Sequence, residues 1–407
     1  MIRPIGIATL IVVATSYGSA FGQTKPRARD LGVPFDGTPG PLNAITDVPG
    51  VEVGHATIIS GGGPLVVGKG PVRTGVTAIL PRGRTLGDPV MAGWFTLNGN
   101  GEMTGTTWIE ESGFLGGPVM ITNTHSVGVV HDAVIEWLVQ HRFDFDWSLP
   151  VVAETWDGGL NDINGFHVTK QHSFAALDSA RGGPVAEGNV GGGTGMVCHQ
   201  FKGGIGTASR QFSIEDKSYT LGVLVQCNYG ARRLLRIAGV PVGAEIPDQT
   251  PCLDTTGPVT ERERPARCAT GPGPSGLEPE EAGSIIVVVA TDAPLLPHQL
   301  TRVATRVSLG IGKMGGLGGN SSGDIFVAFS TANPNAASPT GHPNVTFIPN
   351  EGINAVFEAT VQATEESIVN ALVAAETMKD ANDLRVTALP HDRLRDVLRR
   401  YNRLTNP

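Results

Sequence analysis

The chain has 407 residues, 40% of them hydrophobic and 17% charged, with a formal net charge of −8. That hydrophobic share supplies a sizeable core, and a charge content below the usual ~25% argues against a disordered or coiled-coil chain. Glycine makes up 55 residues without a G-X-Y period, so collagen is out and tight turns with close backbone packing are expected. There is no basic run or aromatic-basic interleaving, which argues against a nucleic-acid partner.

The chain opens with the signature of a secretory signal over residues 1–22. Arg3 supplies positive charge, Ile5 to Val13 is apolar, and Ala20 and Gly22 stand at −3 and −1 before Gln23. Export to the periplasm or beyond is the expectation. The apolar stretch is too short to span a bilayer, and no other segment has the ~18 apolar residues of a membrane helix.

Short apolar runs then alternate with Gly-rich turns. Val76 to Leu80, Val119 to Thr122, Leu149 to Ala153 and Leu221 to Val225 read as strands. Val127 to His141 has helical spacing, with Val130, Val134 and Leu138 on one face. Gly191 to Gly195 and Gly203 to Gly206 read as turns or close approaches. Residues 244–283 carry seven prolines and little that could fill a core, which predicts an exposed linker. It ends at Gly283-Ser284, followed by the buried-strand pattern Ile285 to Ala290. A helix from Pro297 to Leu309, a strand from Ile325 to Ser330 and late helices near Glu351 to Met378 and Asp392 to Tyr401 complete the chain. Without a strict βαβ rhythm, this predicts a layered α/β or α+β domain.

Export permits disulfides. Cys252 and Cys268 share the proline-rich stretch and are candidates for a bridge. Cys198 and Cys227 lie in apolar runs and are read as buried free thiols. Three motif matches lack their structural context. Gly310 to Gly315 fits GxGxxG but follows a helix, and Gly319 to Gly323 fits GxSxG but precedes a strand. His125 and His131 lie near a helix start without a third ligand, so they read as capping or surface residues and no metal is expected.

The chemistry-bearing feature is Ser284. A strand-leading serine after glycine becomes a catalytic N-terminus if the preceding bond breaks, because its freed α-amine is then a base beside its own hydroxyl. That amine has an ordinary pKa of about 7.7–8.0, so no histidine is required. Spacing alone favours an ordinary linker-to-strand junction.

A set of segments in shared order goes further: Thr46–His55 (TDVPGVEVGH), Thr74–Leu80 (TGVTAIL), Leu97–Gly105 (LNGNGEMTG), Pro150–Gly158 (PVVAETWDG), Leu160–Gly165 (LNDING), Gly188–Gly195 (GNVGGGTG), Val225–Gly230 (VQCNYG), Gly283–Ile286 (GSII) and Ser322–Phe326 (SGDIF). Across nearly all the mature chain, the sequence resembles the DmpA family of N-terminal-nucleophile aminopeptidases. The resemblance implies an αββα sandwich of the DmpA/ornithine-acetyltransferase type, without a cofactor, assembled as a homo-oligomer of αβ units. It implies self-cleavage between Gly283 and Ser284 into an α chain (23–283) and a β chain (284–407). Ser284 is then the nucleophile, Asn228 the oxyanion-hole donor, and Ser322 and Asp324 the pair that orients and polarises it. Glu154 is the acid for the free ammonium of small peptide or amino-acid amide substrates. Where the family usually has Tyr after Glu-Thr, this chain has Trp156, whose indole donates but cannot accept. An acetyltransferase of the same fold is opposed by Ser284, since that family uses Thr, and by the signal. An exported, inactive binding homologue finds support only in Trp156.

Overall fold

In the computed structural model, residues 25–84, 87–141, 146–254, 268, 283–379 and 382–405 are described. The expected signal at 1–22 and most of the expected linker at 244–283 lie outside them. Ten strands form two sheets. The smaller is built from β1 (Glu52–Ser60), β2 (Val72–Arg84), β5 (Val119–Asn123) and β6 (Val151–Thr155), in the order β1-β2-β5-β6. The larger combines β3 (Val90–Thr96), β4 (Phe114–Leu115), β7 (Gly204–Ile214), β8 (Lys217–Asn228), β9 (Ser284–Thr291) and β10 (Ile325–Ser330), in the order β4-β3-β10-β9-β8-β7.

The run Ser284–Thr291 is continuously apolar because β9 is central and covered on both faces. Ile286, Val288 and Ala290 point at the smaller sheet, where they meet Ile79, Ile121, Val151 and Ala153. Ile285, Val287 and Val289 point the other way, into a cluster with Leu300, Val303 and Val307 of α4 (Pro297–Lys313) and Ile368 and Leu372 of α5 (Asn354–Ala374). The smaller sheet's outer face buries Val76, Ala78 and Met120 against Val130, Val134, Trp137 and Leu138 of α2 (Val127–Gln140) and Leu177 of α3 (Lys170–Asp178). Helix, sheet, sheet and helix thus stack as four layers, the expected αββα sandwich. Each buried Ile or Val of β9 contributes roughly 1.5–3 kcal/mol, which anchors the strand that Ser284 begins.

The two sheets are stitched by one polar residue. Gln226 of β8 is fully buried, and its Nε2 donates to Thr122 O at 3.0 Å and Thr155 Oγ1 at 2.8 Å on the smaller sheet.

Several expectations need revision. The strand expected at Leu149 to Ala153 runs from Val151 to Thr155, so Glu154 is a strand residue rather than one that follows it. The start of the linker is not bare: Ile246 is fully buried, and Cys252–Leu253 pairs antiparallel with Leu384–Arg385. Cys252 and Cys268 are bridged, with Cα atoms 4.8 Å apart, as expected. Cys198 and Cys227 are not free thiols. They form a second disulfide, Cα–Cα 5.5 Å, because the ribbon Val197–Cys198/Phe201–Lys202 folds back on the end of β8. Their apolar surroundings were read correctly, but a buried bridge is as apolar as two thiols.

Candidate active site

Ser284 is the first residue of β9 and lies opposite Asn228, the last residue of β8. The chain reaches it through Gly283, at φ +105°, a region L side chains rarely adopt. A methyl group on Gly283 would lie 1.9 Å from Asn228 O, so glycine is required there twice over.

On the other side of β9, the turn into β10 carries Ser322, Gly323 and Asp324. Gly323 N–H donates to Ser284 Oγ at 3.1 Å. The Asp324 carboxylate accepts from Ser322 Oγ at 2.6 Å and Ile285 N at 3.2 Å on Oδ1, and from Asn98 Nδ2 at 3.2 Å on Oδ2. Burial pushes its pKa up, against the pull of those hydrogen bonds. Ser322 and Asp324 thus reach Ser284 through the backbone, at Ile285 N and Gly323 N, rather than by touching its hydroxyl.

The Asn228 side chain is fixed at both ends. Its Oδ1 accepts from Val197 N at 2.7 Å, and its Nδ2 donates to Trp156 O at 2.9 Å. An amide nitrogen carries two hydrogens, so one remains for another acceptor.

Glu154 comes from the smaller sheet and is 3% exposed. Its Oε1 accepts from Glu102 N at 3.0 Å and its Oε2 from the Thr124 hydroxyl. Desolvation raises its pKa above the ordinary carboxylate value, while the Thr124 and Glu102 N–H bonds oppose that rise. The loop Asn98–Glu102 spans the gap between the two sheets' contributions. Asn98 holds Asp324, also accepting from its N–H at 2.7 Å, and Glu102 holds Glu154. Between them, a methyl on Gly101 would lie 3.0 Å from Gly323 Cα and 3.4 Å from Glu154 Oε1. Serine, asparagine, hydroxyl-acid pair and glutamate are therefore gathered at one end of the sandwich. The arrangement supplies a hydroxyl, a fixed amide donor and a buried carboxylate without a metal. Among the described residues, no three His, Cys, Asp or Glu side chains gather as ligands.

Residues 43–386 match the family model for Peptidase family S58. The chain belongs to that family. It is 55% identical over 395 residues to the beta-peptidyl aminopeptidase BapA of Sphingosinicella microcystinivorans, covering 97% of each chain. With BapA of Sphingosinicella xenopeptidilytica it shares 50% identity over 398 residues, covering 97% of this chain and 95% of that one. Its structure is similar to the L-aminopeptidase D-Ala-esterase/amidase of Ochrobactrum anthropi, described as a prototype for the serine aminopeptidases and a variant of the Ntn hydrolase fold. That match has a TM-score of 0.82 at 49% identity, over 94% of this chain and 100% of that one. A Burkholderia sp. beta-aminopeptidase gives 0.79 at 46% identity, over 92% and 99%. This S58 member is a peptide-bond hydrolase, an aminopeptidase with an Ntn-hydrolase-type fold.

Trp156 departs from expectation in how it takes part. Its backbone carbonyl holds Asn228, while the indole is 53% exposed and lies over Gly158. His125 is exposed and stacks on Phe166 at a centroid distance of 6.1 Å. With Ser126, Val129, Phe166, Val168 and Lys170 it lines a pocket of about 500 Å3, one residue beyond the Thr124 that binds Glu154. The GxGxxG glycines begin inside α4, and the GxSxG segment leads into β10, so neither motif has the context its chemistry needs. Reading the sequence missed Asn98, Glu102, Thr124 and Gln226. Three of these lie in segments that carried the family resemblance, but Thr124 had no signal at all.

Proposed function

We propose that Ser284 is the nucleophile of a self-processing serine aminopeptidase. The observation that carries this reading is the pairing of Ser284 with Asn228 behind a left-handed glycine. In processing, Ser284 Oγ adds to the Gly283 carbonyl carbon, the C–N bond breaks, and the hydroxyl proton ends on the freed amine. Water hydrolyses the resulting ester, leaving a Gly283 carboxylate and a free Ser284 N-terminus. In turnover, that α-amine takes the hydroxyl proton as Oγ attacks the substrate carbonyl. The free Nδ2 hydrogen of Asn228 stabilises the oxyanion. The leaving amine departs with a proton, and water releases the acyl group from Ser284. Ser322 and Asp324 hold the strand start, and Glu154 receives the substrate ammonium.

Two relatives at 50% identity or more are named beta-peptidyl aminopeptidases, which supports substrates beginning with a β-amino acid. The residue 1–22 signal and two disulfides support a periplasmic or secreted enzyme. A homo-oligomer of αβ units finds support in the surface tryptophans Trp108 and Trp147, 38% and 56% exposed with centroids 5.0 Å apart. Light scattering of the purified enzyme reports the assembly.

Intact mass and N-terminal sequencing test the core of the proposal. Wild type should yield two chains, the second beginning at Ser284, and Ser284→Ala should stay whole. A processed Ser284→Ala variant would sink it. Hydrolysis of β-alanyl, L-alanyl and D-alanyl p-nitroanilides, with acetyl transfer to ornithine as the control, separates the substrate readings.

A further inference from the structure

Lys202 is fully buried, yet among the described residues no carboxylate lies within ion-pair distance of it. Its Nζ donates to Met196 O at 2.8 Å and Gly203 O at 2.9 Å, with Gly193 O at 3.5 Å. Burial without a counter-charge brings its pKa down to about 7, so near neutral pH the group passes between ammonium and amine, and either form donates to these carbonyls; an apolar side chain of the same length would fill the space at less cost. The position therefore calls for a role beyond packing.

One of the three carbonyls supplies it. Met196 O and Val197 N belong to the same peptide group. That group's N–H donates to Asn228 Oδ1 at 2.7 Å, shorter than the usual 2.9–3.0 Å for N–H···O. An unbroken line therefore runs from Lys202 Nζ through the 196–197 peptide to the Asn228 amide and its free Nδ2 hydrogen. Amides in series polarise one another, each strengthening the next by about 10–30%. The line is also rigid. Val197 pairs with Lys202 in the two-stranded ribbon, and the Cys198–Cys227 bridge joins the residue after Val197 to the residue before Asn228.

We propose that Lys202 is a positioning residue for the reaction: its Nζ donor fixes and polarises the Met196–Val197 peptide, which fixes and polarises the Asn228 amide that stabilises the oxyanion. The inference rests on the reading of Asn228 as the oxyanion donor.

The test compares Lys202→Met with wild type on processed enzyme, with fold checked by circular dichroism and disulfide content. The expected result is a kcat lowered on the order of tenfold with KM unchanged. The infrared band of a 13C-labelled acyl-enzyme carbonyl should move to higher frequency, because its hydrogen bond weakens. Lys202→Gln, a neutral donor of shorter reach, should recover part of both. A folded Lys202→Met enzyme with wild-type kcat and carbonyl frequency overturns the proposal, as does one that loses only thermal stability. Folded Lys202→Met stalled as precursor supports it if Lys202→Gln restores cleavage and overturns it otherwise. If neither variant folds, Lys202 serves the fold and the proposal falls. Asn228→Ala separates the two levels. Were it fully active, the reading of Asn228 would fail and Lys202 with it; an impaired Asn228→Ala beside an unimpaired Lys202→Met removes Lys202 alone.

Discussion

Replacing Glu154 with Gln removes a charge and almost nothing else. Gln can keep an oxygen facing Glu102 N and turn its amide nitrogen to Thr124, whose hydroxyl accepts by rotating its own proton. A carboxylate about 4 Å from an ammonium gains roughly 4 kcal/mol at an effective dielectric of about 20. Burial works against that gain, as the raised pKa of Glu154 shows. About half should survive as net recognition, a loss of about 2 kcal/mol or roughly 30-fold in kcat/KM for Glu154→Gln. The folded protein should respond in the opposite sense. A carboxyl whose pKa is raised in the folded state contributes stability fully present below its ordinary value of 4.5 and lost as pH rises through the folded value. Gln carries no such loss, so the variant should be more stable than wild type near neutral pH and gain nothing below pH 4.5. The assay pairs a free aminoacyl p-nitroanilide with its N-acetylated counterpart, and thermal melts at two pH values accompany it. Only the free substrate should lose rate, the acetylated one being poor throughout, and self-cleavage should survive because the precursor bond offers no ammonium. Wild-type enzyme that cleaves free and acetylated substrates equally would refute the reasoning.

Three further perturbations test other parts of the site. Gly283→Ala should accumulate uncleaved precursor by intact mass, since a left-handed φ costs roughly 1–3 kcal/mol for an L residue and the methyl would strike Asn228 O; normal processing would show that the Gly283 conformation is not needed for cleavage. The Cys198→Ala/Cys227→Ala double variant should lose about 2–4 kcal/mol in denaturant unfolding and lower kcat through a looser Asn228; wild-type stability and rate would show that the bridge contributes to neither. Gly101→Ala should press Gly323 and Glu154 apart by a few tenths of an ångström and raise the ratio of kcat/KM for β- over α-aminoacyl substrates; an unchanged ratio would show that this spacing does not govern substrate length.

Legibility in the sequence followed the physics of each feature. Strands buried on both faces announce themselves as unbroken apolar runs, so Ile325 to Ser330 agrees with β10 end to end and Ile285 to Ala290 lies within β9. The edge strand β1 was not legible, because its outer half is exposed and polar residues interrupt it. Ser284 stood out as a hydroxyl between a linker and a core strand. Asn228, Ser322, Asp324 and Glu154 each looked ordinary, and only the family resemblance singled them out. Their meaning comes from register and loop contact across 30 or more positions in the chain, as when Asn98 meets Asp324, which no local pattern records. Lys202 was invisible for the same reason, since a lone lysine beside glycines reads as surface charge until its burial is known.

The division of labour between the two sheets explains why this fold suits an enzyme that reads a free N-terminus. On the proposed assignments, the larger sheet supplies the nucleophile Ser284 and the oxyanion donor Asn228 on paired strands, where the antiparallel register sets their spacing. On the same assignments, the smaller sheet supplies Glu154, the carboxylate proposed for the ammonium, on β6, tied to the larger by Gln226. The separation between scissile carbonyl and ammonium is therefore a distance between sheets, not between neighbours on one strand. Strand register can change only in whole residues, whereas the gap between sheets can be adjusted by the side chains and loops that fill it. Here the filler is Asn98–Glu102, which touches Asp324 at one end and Glu154 at the other. Changing that loop alters how many backbone atoms fit between the two charges while leaving the Ser284–Asn228 pair untouched. Relatives bear names that refer to beta-peptidyl, L-aminopeptidase and D-Ala activities, and a loop that sets the gap between the sheets provides for that range with the Ser284–Asn228 pair kept as it is.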